Sequence, residues 1–314
     1  MGRYLGLDTS NYTTSVAAFD AETEALWQVK QLLPVKDGEL GLRQSDAVFH
    51  HTRQLPTMLE RLVDEAGDLS SVAAIGVSVR PTQAEGSYMP CFLSGEGAAR
   101  QMAALIGAPL YRFSHQQGHV MAALFGASAL ELRHAPFLAF HVSGGTTDAL
   151  LVRPDEENII CCEKVAGSLD LKAGQLIDRV GGLLGLQFPA GPALETLAGE
   201  IDGKLPRPSM EGTSCHLSGV ENQCRKRLSD GQTPSEVARF CLMSVNAAVQ
   251  AMTERLLAQY GDLPVVYAGG VMSNAYLKSS LQQRFGGVFA PPAYSADNAA
   301  GIALLTALKA GAAI

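Results

Sequence analysis

No stretch of this chain approaches the roughly 20 apolar residues that cross a bilayer, so no membrane partner is expected. Its opening, Met-Gly-Arg-Tyr-Leu-Gly-Leu-Asp, runs straight into a strand pattern and lacks the layout of a signal peptide. It also lacks the Ser or Thr that a myristoylation signal wants at the sixth position. The six cysteines (Cys91, Cys161, Cys162, Cys215, Cys224, Cys241) show no CxxC spacing, which in a chain of 314 residues reads as reduced thiols and a cytoplasmic setting. No GxxxxGK[ST] loop occurs, which excludes a P-loop NTPase, and no GxGxxG follows a strand, so a dinucleotide fold has no support. Charged residues make up 18% and the net charge is −7, with no basic block beyond Arg225-Lys226-Arg227. Charge therefore leaves no footprint for nucleic acid. What the chain has instead is 47% hydrophobic residues, enough for sizeable cores and inconsistent with disorder.

It also contains a repeat. The segment YLGLDTSNYTTSVAAF from Tyr4 returns as FLAFHVSGGTTDALLV from Phe137, and Leu5, Ser10, Thr13 and Thr14 fall on Leu138, Ser143, Thr146 and Thr147. Each copy reads as strand, tight polar turn, strand. Two such hairpins, one opening each half, predict two similar lobes, which a chain of this length accommodates. Strand-like runs lie near 4–8, 14–19, 73–79, 137–142, 147–152 and 264–268. Helix-like runs lie near 47–66, 94–106, 117–130, 171–185, 192–199, 234–258, 274–284 and 297–310. This alternation predicts an α/β architecture. The stretches Leu33–Gly41, Arg80–Pro90 and Asp202–Thr213 read as linkers, and Asp297-Asn298 as an N-cap pair.

The sharpest chemical pattern is SHQQGHVMAAL. His115 and His119 sit four apart in a helix-like run, so both imidazoles share a face and can address one atom. Zinc or iron accepts such a pair. The alternative is two histidines lining a helix start with no metal. No Glu lies between them, so the general base of an HExxH protease is missing. A third ligand has to come from elsewhere: Asp297 at the last helix start, or His141 at the end of the strand entering the second polar turn. His50 and His51 adjoin, point to different faces, and are expected to be solvated. His134 and His216 fall in loop-like segments and receive no role.

Three further segments fit a nucleotide, each with an ordinary alternative. In VVYAGGVMSN a strand reaches Gly269-Gly270 and Asn274 lies near a helix start. Paired glycines admit a flat ligand and a helix N-terminus offers N–H groups to phosphate, although strand-Gly-Gly-helix is also common α/β punctuation. The turn Ser143-Gly144-Gly145-Thr146-Thr147 suits a phosphate cradle and equally suits a hairpin. In DLKAGQLIDRVGGLLGLQFPAGPALETLA, Asp178 edges an apolar stripe, Pro189-Ala190-Gly191-Pro192 breaks the chain, and Glu195 follows on a new helix. That block either encloses a ligand or is an αα-hairpin with solvated acids.

Taken in chain order, these segments resemble the TsaD/Gcp family, which includes the Kae subunit of the KEOPS complex and belongs to the ASKHA superfamily of actin, sugar kinases and Hsp70. The match runs from Gly6-Leu7-Asp8-Thr9-Ser10, through the HxxxH pair, the SGG turn, the D…PxGP…E block, Ser218-Gly219-Val220 for the usual SGL and AGGVxxN, to Asp297-Asn298. The resemblance implies duplicated RNase-H-like lobes around a central cleft. The expected N-terminal lobe is 1–135, with the last helix (297–314) packing back on it, and the C-terminal lobe is 136–296. It implies one divalent metal ion, iron or zinc, held by His115, His119 and Asp297. His141 stands where archaeal members have a metal-binding Tyr. It implies an adenine nucleotide (ATP, AMP or an acyl-adenylate) at Ser143, Gly144, Gly145, Asp178, Gly191, Glu195 and Asn274. The implied reaction moves a threonylcarbamoyl group from its adenylate to an adenosine amine in tRNA, with tRNA and TsaB-like, TsaE-like or KEOPS-type proteins as partners.

The chain departs from the family at definite places. The first turn, usually ETSCDET, reads Asp8-Thr9-Ser10-Asn11-Tyr12-Thr13-Thr14, without the later acids. Arg80-Pro81-Thr82 replaces a GPG loop, Thr146 replaces the His of SGGH, and DDAAGEAFD has become Asp170-Leu171-Lys172-Ala173-Gly174-Gln175-Leu176-Ile177-Asp178. The pattern is that of a divergent paralogue. Three functions follow: a threonylcarbamoyl or carbamoyl transferase; a silent nucleotide-binding regulatory partner, against which the retained HxxxH pair speaks; and a glycoprotein metalloendopeptidase, an older family label that the missing general base disfavours.

Overall fold

The first polar turn joins two strands that are buried along almost their whole length, β1 (Arg3–Ser10) and β2 (Thr13–Asp20), and β3 (Ala25–Leu32) completes an antiparallel meander at the sheet edge. Helix α1 (Gln44–Ala66) leads to β4 (Ala74–Arg80), parallel to β1. Helix α2 (Phe92–Ile106) leads to β5 (Leu110–Ser114), parallel to β4. The sheet order is β3-β2-β1-β4-β5. Helix α3 (His115–Gly126) follows β5 at once.

The second polar turn repeats the plan. Strands β6 (Phe137–Val142) and β7 (Thr147–Asp155) form the antiparallel hairpin, and β8 (Ile159–Gly167) lies beside β7. Then come α4 (Ala173–Leu183), α5 (Gly191–Ala198), the small ribbon β9 (Ser209–Glu211) with β10 (Ser214–His216), α6 (Ser218–Ser229) and α7 (Pro234–Tyr260). Strand β11 (Val265–Ala268) pairs parallel to β6. After α8 (Ala275–Phe285), β12 (Val288–Phe289) pairs parallel to β11. The second sheet, β8-β7-β6-β11-β12, therefore has the strand order of the first, and the duplication is a fact of the fold. Helices α9 (Pro292–Ser295) and α10 (Ala300–Lys309) close the chain.

The structure is a computed structural model that describes residues 2–10, 12–34, 42–295 and 299–314. The chain divides into two compact units. Unit 1 is Met1–His134, Arg153–Cys162 and Ala293–Ile314, and unit 2 is Ala135–Val152 and Glu163–Pro292.

In unit 1, strand alternation sends Leu5, Leu7, Ile75 and Val77 to one sheet face, where they form a core with Leu55, Met58 and Leu62 of α1 and Ala99 of α2. On the other face α10 lies against Gly6 and Gly76. Helix α10 also packs so closely on α3 that a Cβ at Gly301 would stand 1.8 Å from Gly118 O. In unit 2, Leu138, Phe140 and Val142 of β6 share a core with Leu176 and Val180 of α4 and with Val245 and Val249 of α7. Helix α7 carries a complete start signal: Thr233 as N-cap with Glu236 closing a capping box, and Pro234 in the first turn. All six cysteines are free, and among the described residues no helix is long and apolar enough to cross a membrane.

Candidate functional site

Unit 2 holds a cavity of about 310 Å³ whose lining includes Gly144, Asp178, Gly191, Glu195 and Asn274. They reach it from four pieces of backbone, Gly191 and Glu195 sharing α5. Gly144 comes from the β6–β7 turn, which closes on itself: Ser143 N–H donates to Thr146 O (2.7 Å) and Thr146 N–H to Ser143 Oγ (3.2 Å). The turn is docked on α4 because Gly174 N–H donates to Ser143 O (3.1 Å) and Ala173 N–H to Thr147 Oγ1 (2.8 Å). Ser143 and Gly145 are not among the lining residues; Ser143 N–H and Oγ bond within the hairpin and its carbonyl bonds α4.

Asp178 and Glu195 are not simply solvated acids. Asp178 Oδ1 accepts from Ala190 N–H at 2.8 Å, which ties the Pro189-Ala190-Gly191-Pro192 turn to α4. Glu195 Oε1 accepts from Ala275 N–H at 2.7 Å, and Asn274 caps α8 by accepting from Leu277 N–H at 3.0 Å. These last bonds change one expectation. The helix does not begin directly after Gly269-Gly270, because a 3-10 turn, Gly270–Ser273, intervenes. Two N–H groups of the first turn of α8 are then taken by Glu195 and Asn274. Gly269 itself, at φ +102° and with a would-be Cβ 2.2 Å from Val142 O, is needed for close packing on β6. Ile177, Leu242 and Val271 give the cavity an apolar floor, and no Lys, Arg or His is among its described lining residues. Two carboxylates over an apolar floor suit a flat ring bearing hydroxyl or amine donors better than they suit phosphate.

Unit 1 holds the histidine pair. Ser114 caps α3 with a capping box to Gln117, so His115 is the first helical residue and the helix starts two residues before the expected 117. The Nε2 atoms of His115 and His119 face each other at 2.9 Å. His115 Nδ1 lies 3.0 Å from Oδ1 of fully buried Asp8, which also accepts from Ser78 Oγ. Two convergent ring nitrogens, one ring backed by a carboxylate on its far nitrogen, fit a divalent cation's donor requirements. Asp297 lies outside the described residues. His141 belongs to unit 2, on β6, opposite Asp148 of β7 and Ala268 of β11. Among the described residues no three His, Cys, Asp or Glu side chains gather as a cation cluster.

Two features escaped sequence reasoning. Asp8 appeared only as part of a motif, and nothing in the pattern linked it to a residue 107 positions away. His51 is not solvated. It is fully buried, with Nδ1 2.8 Å from Thr14 Oγ1, because the helical period places it on the inner face of α1 with Ala47, Leu55 and Met58. Burial pushes its pKa down to about 4, against the raising influence of Asp8 and of a backbone hydrogen bond at Ser10; the charge of His50 lowers it further. His216 stands on β10, 3.2 Å from Glu211, not in a loop.

Two five-stranded α/β sheets of the same strand order define the ASKHA architecture. The chain belongs to the TsaD family, described as tRNA N6-adenosine threonylcarbamoyltransferase, whose family model matches residues 40–304. Among solved structures it is similar to component A of (R)-2-hydroxyglutaryl-CoA dehydratase from Acidaminococcus fermentans (16% identity, 99% of each chain covered, TM-score 0.57). It is similar to full-length HypF in a phosphate- and nucleotide-bound form (13% identity, TM-score 0.61), covering 98% of this chain and 55% of HypF. A ROK hexokinase from Thermus thermophilus matches at 16% identity over 98% of each chain, with a TM-score of 0.51. At these identities the likeness is one of fold.

Proposed function

We propose that this protein is a TsaD-type transferase that binds an acyl-adenylate and passes its threonylcarbamoyl or carbamoyl group to an amine. The observation that carries this reading is the unit 2 cavity, where Gly144, Asp178, Gly191, Glu195 and Asn274 come together in a chain of the TsaD family. Adenosine is the part of the donor that this cavity takes. The ring lies on Ile177, Leu242 and Val271, and the carboxylates of Asp178 and Glu195 accept from ribose hydroxyls or the exocyclic amine. Each carboxylate already holds one backbone N–H, so its orientation is set before ligand arrives. In the transfer, the amine nitrogen attacks the carbonyl carbon of the donor. The bond from that carbon to the phosphate oxygen breaks, AMP departs, and the amine gives up a proton.

His115 and His119 are the residues that would hold a divalent cation, iron or zinc, with Asp297 as a further ligand. Such an ion, when bound, supplies Lewis-acid polarisation of a carbonyl oxygen. The family's role in tRNA modification makes tRNA the acceptor class to test first, and TsaB-like, TsaE-like or KEOPS-type proteins the partners to test with it.

Calorimetry with adenosine, AMP and ATP tests the nucleotide half. Glu195→Gln, which keeps an acceptor for Ala275 N–H, and Asp178→Ala should each weaken AMP binding by about 10-fold, the worth of a hydrogen bond to a charged group. Absence of binding by all three ligands at millimolar concentration would overturn the reading.

A further inference from the structure

Asp8 has no exposed surface. Strand alternation puts it on the sheet face of Gly6, the face covered by α10, and the parallel register of β1 with β4 brings Ser78 alongside. Ser78 Oγ donates to Asp8 Oδ1, and His115 Nδ1 is 3.0 Å from the same oxygen. An ionised carboxylate only accepts, so Nδ1 of His115 carries the proton, and in the neutral ring the lone pair then lies on Nε2, where it accepts from His119 Nε2–H. Nε2 is the atom that meets His119 Nε2 at 2.9 Å. The ring is thus fixed from two sides, by the capped first turn of α3 and by a buried carboxylate on the nitrogen that no ligand uses.

We infer that Asp8 is the positioning residue of the histidine pair. It holds His115 as the Nδ1–H tautomer and so presents Nε2, together with Nε2 of His119, to a divalent cation. The cation half rests on the function proposed above, whereas the tautomer half does not. Carboxylates in this position behind a ligating imidazole set its orientation and basicity, and losing one typically costs 10- to 100-fold in metal affinity.

The test combines long-range 15N–1H correlation spectra of the metal-free full chain at neutral pH with calorimetric titration of zinc. A His115→Gln variant assigns the His115 signals. The wild type should show the Nδ1–H pattern at His115. Asp8→Asn should shift it toward Nε2–H and lower zinc affinity by about 10- to 100-fold. Asp8→Glu should restore part of that affinity, and Ser78→Ala should keep the tautomer. An Nε2–H His115 in the wild type overturns the inference, and so does an Asp8→Asn protein with unchanged tautomer and unchanged zinc affinity. If zinc does not bind the wild type, the cation reading falls and Asp8 stands or falls on the tautomer alone. If Asp8→Asn does not fold, the wild-type spectrum decides.

Discussion

Buried His51 makes unit 1 sensitive to mild acid. In the unfolded chain its imidazole titrates near the ordinary 6.5, and in the folded chain near about 4. The folded state therefore binds fewer protons between these values. Stability is fully present above pH 6.5, falls as pH drops toward 4, and is flat below that. Linkage between the two values gives a loss of at most about 2 kcal/mol on going from pH 7 to pH 5. The carboxylates whose pKa is lowered, such as Asp20 and Asp170, act in the opposite part of the scale. Asp170, where hydrogen bonds from Ser218, Leu217 and Leu171 outweigh burial and hold the pKa to about 2, contributes stability that is lost only as pH falls from 3.8 toward 2. The window above pH 5 thus separates His51 from these carboxylates, and a His51→Gln comparison separates it from the other six histidines.

The single tryptophan, Trp27, lies on β3 and reports on unit 1. Urea unfolding followed by its fluorescence should show the wild-type midpoint falling between pH 7 and pH 5. His51→Gln, which cannot be protonated, should be less stable at pH 7 but nearly level across the same range. Parallel losses in both proteins would refute the reasoning, as would a His51 ring resonance titrating near 6.5.

Other outcomes follow from single contacts. Gly301→Ala drives a methyl into Gly118 O, so it should cost at least the roughly 1–3 kcal/mol of an overpacked core and lower the melting temperature. In a reconstituted reaction with threonylcarbamoyl-adenylate, unmodified tRNA and the usual partner proteins, this chain should not match the housekeeping enzyme. Efficient tRNA modification would show that the altered turns are dispensable.

What the sequence made legible follows physical signal strength. The two hairpins stood out because β1, β2, β6 and β7 are apolar and joined by small polar turns. Helix α7 stood out through its length. Elements with weaker patterns were missed. β3 is an edge strand with only Val29 buried, and β5 has five residues. Helix α6 is largely polar and buries only Cys224, so no apolar stripe marks it. At the cavity, the residue patterns together with the family resemblance named Asp178, Glu195 and Asn274 but not their backbone partners, because Ala190 and Ala275 carry no side-chain signal. After the Gly-Gly turn, two N–H groups of α8 already have acceptors, Glu195 of α5 and the cap Asn274, which the Gly-Gly pattern does not reveal. Asp8 and Ser78 meet across strands 70 residues apart, a pairing that only the parallel register supplies.

The duplication also gives two of the four departures from the family a common location. Asn11, Tyr12 and Thr13 lie at the β1–β2 turn, with Asn11 outside the described residues, and Thr146 lies at the β6–β7 turn, the matching place in unit 2. Thr13 and Thr146 are equivalent positions in the internal repeat, so both turns have lost an ionisable family residue to the same side chain. Turns tolerate such change because strand register on either side is set by core packing, and the pairing runs unbroken from Ser10↔Thr13 and from Val142↔Thr147. The groups that would hold a donor instead sit where replacement disturbs backbone: Asp178 on Ala190 N–H, Glu195 on Ala275 N–H, Asp8 between Ser78 and His115. On the proposed transferase reading, change at these turns is the divergence that disturbs the fold least. Returning the family residue with Thr146→His should then change acceptor transfer while leaving nucleotide affinity where it was.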